Sequence, residues 1–174
     1  MQVVVLAGGF GTRLRPWTYE IPKPILPMLD KTLLEHVVEV VPENMVDEVV
    51  VAGGYKVDDI EEYFKQADVP YDVTIVKEME PLGTGGALGN CRDVISGQFV
   101  CLNGDIISSL DMQVGMDLHK ENGGIGTLAL QPISPCRSET FHGLHPVTSA
   151  PKRCSLTACR SPSKRRLTLR FALH

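Results

Sequence analysis

The sequence predicts a three-layer α/β domain built on a mainly parallel sheet. Two observations carry this. Short runs of β-branched and other apolar residues alternate along the first 130 residues with segments of helical periodicity. The strand runs are also apolar at successive positions, as in strands covered on both faces rather than on one.

Taken in order, Gln2–Leu6 reads as a buried strand closed by Ala7-Gly8-Gly9, and Gly8–Thr12 as a glycine-rich loop. Pro16, Pro22, Pro24 and Pro27 then keep the chain extended or turning, because proline fixes φ and lacks a donor. Leu33, Leu34, Val37, Val38 and Val41 fall at helical spacing, so 31–41 is expected to be an amphipathic helix. Glu48–Ala52 is the second strand. Asp58–Gln66 is a polar helix with Ile60, Tyr63 and Phe64 on one face. Asp72–Val76 is the third strand, and Gly85–Cys91 opens a helix. Gln98–Leu102 is the fourth strand, ended by Asn103-Gly104-Asp105. Asp111 caps a helix over 111–121, and Ile125–Leu130 is a fifth strand. Trp17 and Tyr19 are expected to pack, His36 and His119 to lie on the surface, and Cys91 and Cys101 to fill the core.

The 174 residues carry 17 Lys+Arg against 21 Asp+Glu, a net charge of −4, with 43% hydrophobic residues. That length suits one domain with a real core, and the composition excludes wholesale disorder. No apolar run approaches the ~20 residues a bilayer needs, and no basic n-region precedes Val3–Ala7. A cytoplasmic protein is expected. The average hides a break after Pro132. Residues 1–132 hold nine basic and twenty acidic residues (net −11), whereas 133–174 hold eight basic and one acidic (net +7). The tail has almost no apolar period, so it is expected to be a basic, low-pattern or out-of-frame segment rather than a nucleic-acid arm or zinc site. The expected division is 1–132 and 133–174.

Three constellations carry chemistry. In the first, Leu6-Ala7-Gly8-Gly9 and Gly11-Thr12 leave a buried strand as small residues, which lets backbone N–H groups approach phosphate oxygens. Arg13 adds a planar fork, and Lys23 a point charge between two prolines. The spacing is neither that of a dinucleotide loop nor that of a Walker A loop. In the second, Glu78-Met-Glu-Pro-Leu-Gly83-Thr-Gly-Gly leads into a helix whose N–H donors could face an anion or a base carbonyl. The segment resembles the base-reading segment of a nucleotidyltransferase family, in which Glu78, a carboxylate that only accepts, would suit the neighbouring N1–H and N2–H2 donors of guanine. In the third, Asp105 follows the fourth strand. Beside a triphosphate it is a natural Mg²⁺ ligand, since Mg²⁺ takes one or two carboxylates plus phosphate oxygens.

Gly9-Phe-Gly-Thr-Arg-Leu-Arg-Pro-Trp-Thr-Tyr-Glu-Ile-Pro-Lys-Pro24 resembles the signature of the sugar-phosphate nucleotidyltransferases, the NDP-sugar pyrophosphorylases. The resemblance, strongest to the mannose-1-phosphate guanylyltransferases, covers residues 2–131. It implies a Rossmann-like nucleotidyltransferase fold with its second half missing. It also implies Mg²⁺-assisted transfer from a nucleoside triphosphate, GTP favoured, to a sugar 1-phosphate, giving NDP-sugar and pyrophosphate. By motif position Arg13 and Lys23 are catalytic. Leu6, Ala7, Gly8, Gly9, Gly11, Thr12, Glu78, Gly83 and Asp105 bind nucleotide, and Asp105 also binds metal. The partners implied are the triphosphate and the sugar phosphate, with neither membrane nor nucleic acid; a homo-oligomer is left open. Two alternatives stand: a glucose-1-phosphate uridylyl- or thymidylyltransferase, and a non-catalytic nucleotide-binding relative.

Overall fold

A computed structural model describes residues 1–129. The tail at 133–174 and the boundary after Pro132 lie outside the described residues. The chain divides into two compact units, Met1–Leu110 and Asp111–His174.

The first unit starts with β1 (Gln2–Leu6), followed by three single-turn 3₁₀ segments at Thr12–Leu14, Trp17–Tyr19 and Lys23–Ile25. A small antiparallel pair, β2 (Pro27–Met28) and β3 (Lys31–Thr32), leads into α1 (Leu33–Val38). Then come β4 (Glu48–Gly53), α2 (Val57–Gln66), β5 (Asp72–Lys77), α3 (Gly83–Asn90) and β6 (Phe99–Asn103). β1, β4, β5 and β6 form one sheet in the order β5-β4-β1-β6, and every pairing is parallel. Val3, Val4 and Val5 of β1 and Val49, Val50 and Val51 of β4 have no exposed surface. Successive strand residues point to opposite faces, so both faces of the sheet centre are covered. α1 lies against β1 and β6, α3 against β1 and β4, and α2 against the edge strand β5, with Leu34, Val37 and Ile60 buried.

Strand order fixes where a ligand can go. From β1 the chain steps outward to β4 and β5, then returns to the opposite side of β1 as β6. The carboxyl ends of β1 and β6 therefore flank the point where the winding reverses, the usual crevice of such sheets. Each strand end there is tied by one further hydrogen bond. Ala7 N–H donates to the Ala52 carbonyl (2.7 Å), Gly104 N–H to Leu6 (2.9 Å) and Glu78 N–H to Gly53 (2.8 Å).

The described part of the second unit holds α4 (Met112–Asn122), with the Asp111 side chain accepting from Val114 N–H as its N-cap. Of the fifth strand expected at 125–130, Thr127 and Leu128 make β-bridge pairing without an extended strand among the described residues, and position 130 lies outside them. Thr127 is buried beside α4, its hydroxyl 2.8 Å from Nδ1 of His119, so His119 is not the free surface residue expected. The helix expected over 31–41 is shorter as well. Leu33–Val38 is helical, and Val41 is buried from the turn that follows. Trp17 and Tyr19 do not pack: they are 68% and 57% exposed. In a three-residue turn whose middle residue, Thr18, points inward, both neighbours point out. Cys91 and Cys101 are buried free thiols, as expected.

Candidate functional site

A cavity of about 530 Å³ opens at the carboxyl ends of β1 and β6. Its wall includes Leu6, Ala7, Gly8, Gly9, Gly11, Thr12 and Arg13 from the first loop, and Lys23 from the third turn. Glu78 and Gly83 join from the second glycine segment, and Asp105 from the end of β6. Segments that lie far apart in sequence thus meet in one place. Phe10, Pro81, Thr84, Ala87 and Asn103 line it too and were not singled out from sequence. Their one available signal was adjacency to the glycine motifs.

Local chemistry sets the shape of the first loop. Gly11 has φ +60°, and a Cβ there would lie 2.8 Å from Cγ2 of Thr18. Glycine meets both conditions without strain. The Thr18 hydroxyl donates to the Gly11 carbonyl (2.9 Å), and the Tyr55 hydroxyl donates to the Thr18 carbonyl (3.0 Å). The buried Thr18 thereby holds the loop, and the Phe10 and Tyr55 rings meet tilted at 58° with centroids 5.4 Å apart. Arg13 follows on the exposed turn, while Arg15 turns away, its guanidinium 4.8 Å from the Tyr19 ring centroid. Gly104 is required by close approach, since a Cβ would lie 2.9 Å from the Leu6 carbonyl oxygen. β1 and the loop after β6 can therefore run together at the cavity floor.

Two carboxylates face the cavity in different surroundings. Oε1 of Glu78 is buried and has no hydrogen-bond partner among the described residues, and a Cβ on Gly8 would lie 3.3 Å from it. Oε2 receives only a long bond from Leu82 N–H (3.5 Å). A buried acceptor without a donor costs about 1–3 kcal/mol, so an N–H donor entering here gains what the fold forgoes. The same charge bears on the core behind it. The Cys91 thiol is pushed up, first by burial and then by Glu78, and its Sγ–H points to the Ala87 carbonyl. Cys101, deeper still, is pushed up to about 12 by burial. Both cysteines are thus held as neutral packing groups.

Asp105, by contrast, is paired. Its Oδ2 accepts from the Lys23 ammonium at 2.9 Å, with the two side chains 53% and 25% exposed. Among the described residues no cluster of three or more His, Cys, Asp or Glu is disposed to hold a metal. A divalent ion held by Asp105 would need oxygens of a ligand to complete its shell. Glycine loops, exposed cations and one carboxylate can together receive a polyphosphate.

Residues 2–144 match the model of the nucleotidyl transferase family. The chain belongs to that family. This nucleotidyl transferase chain is 35% identical over 139 residues to mannose-1-phosphate guanylyltransferase 1 of Arabidopsis thaliana, a match covering 76% of this chain and 38% of the relative. It is 38% identical over 112 residues to the D-glycero-α-D-manno-heptose 1-phosphate guanylyltransferase of Campylobacter jejuni, covering 64% and 51%. Among solved structures it resembles HddC from Yersinia pseudotuberculosis complexed with GMP-PN. That likeness has a TM-score of 0.58 and 35% identity, and covers 68% of this chain and 53% of that one. The nucleotidyl transferase chain thus spans between about two fifths and about half the length of the relatives it matches.

Proposed function

We propose that this chain forms the nucleotide-binding part of an enzyme that transfers a nucleotidyl group from GTP to a sugar 1-phosphate, releasing pyrophosphate. The observation that carries the reading is the convergence of Arg13, Lys23, Asp105 and both glycine segments on one cavity. Guanine is favoured because Glu78 offers an undonated acceptor there, and both curated relatives named above are guanylyltransferases.

In this reading the sugar-phosphate oxygen attacks the α-phosphorus in line and pyrophosphate leaves. Such transfer needs positioning and charge neutralisation rather than covalent catalysis by the protein. Backbone N–H groups of Gly8–Thr12 cradle the triphosphate, and Arg13 holds the departing pyrophosphate through its planar fork. The α3 N-terminus at Gly83 adds donors on the base side. Lys23 neutralises the attacking phosphate. Asp105 would hold a Mg²⁺ ion, which when bound would supply Lewis-acid neutralisation of phosphate charge. The donor set supports such an ion only with ligand oxygens completing its shell. One observation favours a second reading, a non-catalytic nucleotide binder: Asp105 is a single metal carboxylate, without a clustered set around it among the described residues.

The test is GTP binding by the full chain, with and without Arg13→Ala. Loss of a charge-assisted phosphate contact is worth about 1.5–3 kcal/mol, roughly ten- to hundredfold in affinity. Unchanged GTP affinity in Arg13→Ala, with the fold intact by circular dichroism, overturns the phosphate assignment.

A further inference from the structure

Two side chains from the connection between β4 and α2 reach main-chain carbonyls of the turn at Trp17–Tyr19. The Tyr55 hydroxyl donates to the Thr18 carbonyl (3.0 Å) and the Lys56 ammonium to the Glu20 carbonyl (2.6 Å), across 37 and 36 positions of sequence. Neither Tyr55 nor Lys56 lines the cavity. The turn they hold does bear on it. The Thr18 hydroxyl donates to the Gly11 carbonyl, and a Cβ on Gly11 would lie 3.4 Å from Cβ of Lys23, so the loop is seated between Thr18 and Lys23. Arg13 precedes the held turn in the chain and Lys23 follows it, and both line the cavity.

The backbone at Lys56 is strained. It has φ 50° and ψ 37°, a left-handed conformation, and it precedes α2 without a side-chain cap. That conformation is unfavourable for a residue with a Cβ and costs glycine nothing. Glycine at this position would relieve the strain, but it has no ammonium to reach Glu20. The one acidic partner of Lys56, Oδ2 of Asp59, lies farther off than that carbonyl, at 3.6 Å. Strain of this kind persists where the surroundings fix it, and it gathers at ligand sites.

We propose that Tyr55 and Lys56 are positioning residues for the phosphate-binding loop. By holding the carbonyls of Thr18 and Glu20 they order Arg13 and Lys23 before a ligand arrives, so that less ordering is left to be done on binding. The inference rests on the reading above for the ligand, GTP. It adds two residues that act on that ligand without touching it.

The experiment uses the full chain and two variants. Tyr55→Phe keeps the ring beside Phe10 and removes only the hydroxyl. Lys56→Gly removes the ammonium together with the strain. Hydrogen exchange without nucleotide, read by peptide mass spectrometry, is expected to quicken about two- to tenfold over residues 11–21 in each variant, as one lost hydrogen bond does, with β6 unchanged. GTP affinity by equilibrium dialysis is expected to fall by about the same factor. The urea midpoint separates positioning from plain stability: Lys56→Gly should leave it unchanged or raise it while losing affinity. Unchanged exchange over 11–21 in both variants overturns the proposal, and so does wild-type GTP affinity in both. A midpoint of Lys56→Gly that falls together with the affinity shows a structural role and overturns it for Lys56. A wild-type chain that binds no GTP, with the quickened exchange present in the variants, sinks the nucleotide reading and leaves the loop held by Tyr55 and Lys56.

Discussion

Glu78 concentrates the chemistry of the site in one side chain. Its Oε1 lies buried against Gly8 without a donor among the described residues, an arrangement a folded chain tolerates where something else supplies the hydrogen bond. Guanine presents two adjacent donors that one carboxylate can accept together, whereas uracil and thymine present one donor between two carbonyls. Glu78→Gln replaces one acceptor by a donor. It is expected to weaken GTP relative to UTP or dTTP by about 1–3 kcal/mol, as a lost bidentate base-edge pair does. Competition binding with the three nucleotides checks this, and an unchanged preference removes Glu78 from base recognition. Sequence alone could nominate Glu78 from its place before Gly83. It could not show that the carboxylate lies on Gly8, because nothing in a linear pattern sets two loops 70 positions apart side by side. The Lys23–Asp105 pair was hidden for the same reason.

At the scale of the element, α1 shows how a short helix is held. The Thr32 hydroxyl accepts from Glu35 N–H and the Glu35 carboxylate accepts from Thr32 N–H, closing a capping box. Tyr63 of α2 also donates to that carboxylate (3.3 Å). Thr32→Ala is expected to cost about 1 kcal/mol, within a range of ~0.5–2, in a urea midpoint comparison. At the other end His36 has an acceptor at each ring nitrogen, Glu39 Oε2 at 3.0 Å and the Met28 carbonyl at 2.8 Å. Its pKa is raised by the Met28 bond first and Glu39 second, while Lys31 and then His36 hold Glu39 below the usual carboxylate range. The folded value thus lies above the unfolded one of about 6.5. The stabilisation is therefore full below about 6.5 and is lost as pH rises through the raised folded value. Stability of the wild type should fall across that window, and His36→Gln should flatten the fall; a histidine NMR titration locates the midpoint. The four strands of the main sheet were legible to within a residue because each apolar run gives way to glycine or polar residues, whereas the two-residue strands β2 and β3 left no pattern. The helix at 31–41 was overread because burial continues at Val41 after the helical hydrogen bonds have stopped. Periodicity records which residues are inside, and a turn can bury a valine as well as a helix can.

At the scale of the molecule, the strand order decides what the cavity can hold. β1 is central, paired to β4 on one side and β6 on the other, and the three extra bonds at Ala7, Glu78 and Gly104 make the cavity floor part of the sheet. Ligand binding there should thus be felt as stability of the whole first unit rather than of a loop. A ligand present at about 100 times its Kd stabilises the native state by about 2.7 kcal/mol. The volume of about 530 Å³ suits one small-molecule ligand. In the proposed reading the described residues supply phosphate, base and cation contacts, whereas the sugar-binding segment of the family is not recognisable after 131. The 174-residue chain is therefore expected to take up one GTP per chain in a Mg²⁺-dependent way, with a matching rise in Tm. It should show neither a thermal shift with mannose 1-phosphate alone nor pyrophosphate release when both substrates are present. Calorimetry gives the stoichiometry, thermal unfolding the linkage, and a coupled phosphate assay the turnover. A Tm raised by GTP equally with Mg²⁺ and with EDTA would separate Asp105 from the nucleotide. Steady turnover would show that residues outside 1–129, or a second copy of the chain, complete a sugar site that the first unit alone does not contain.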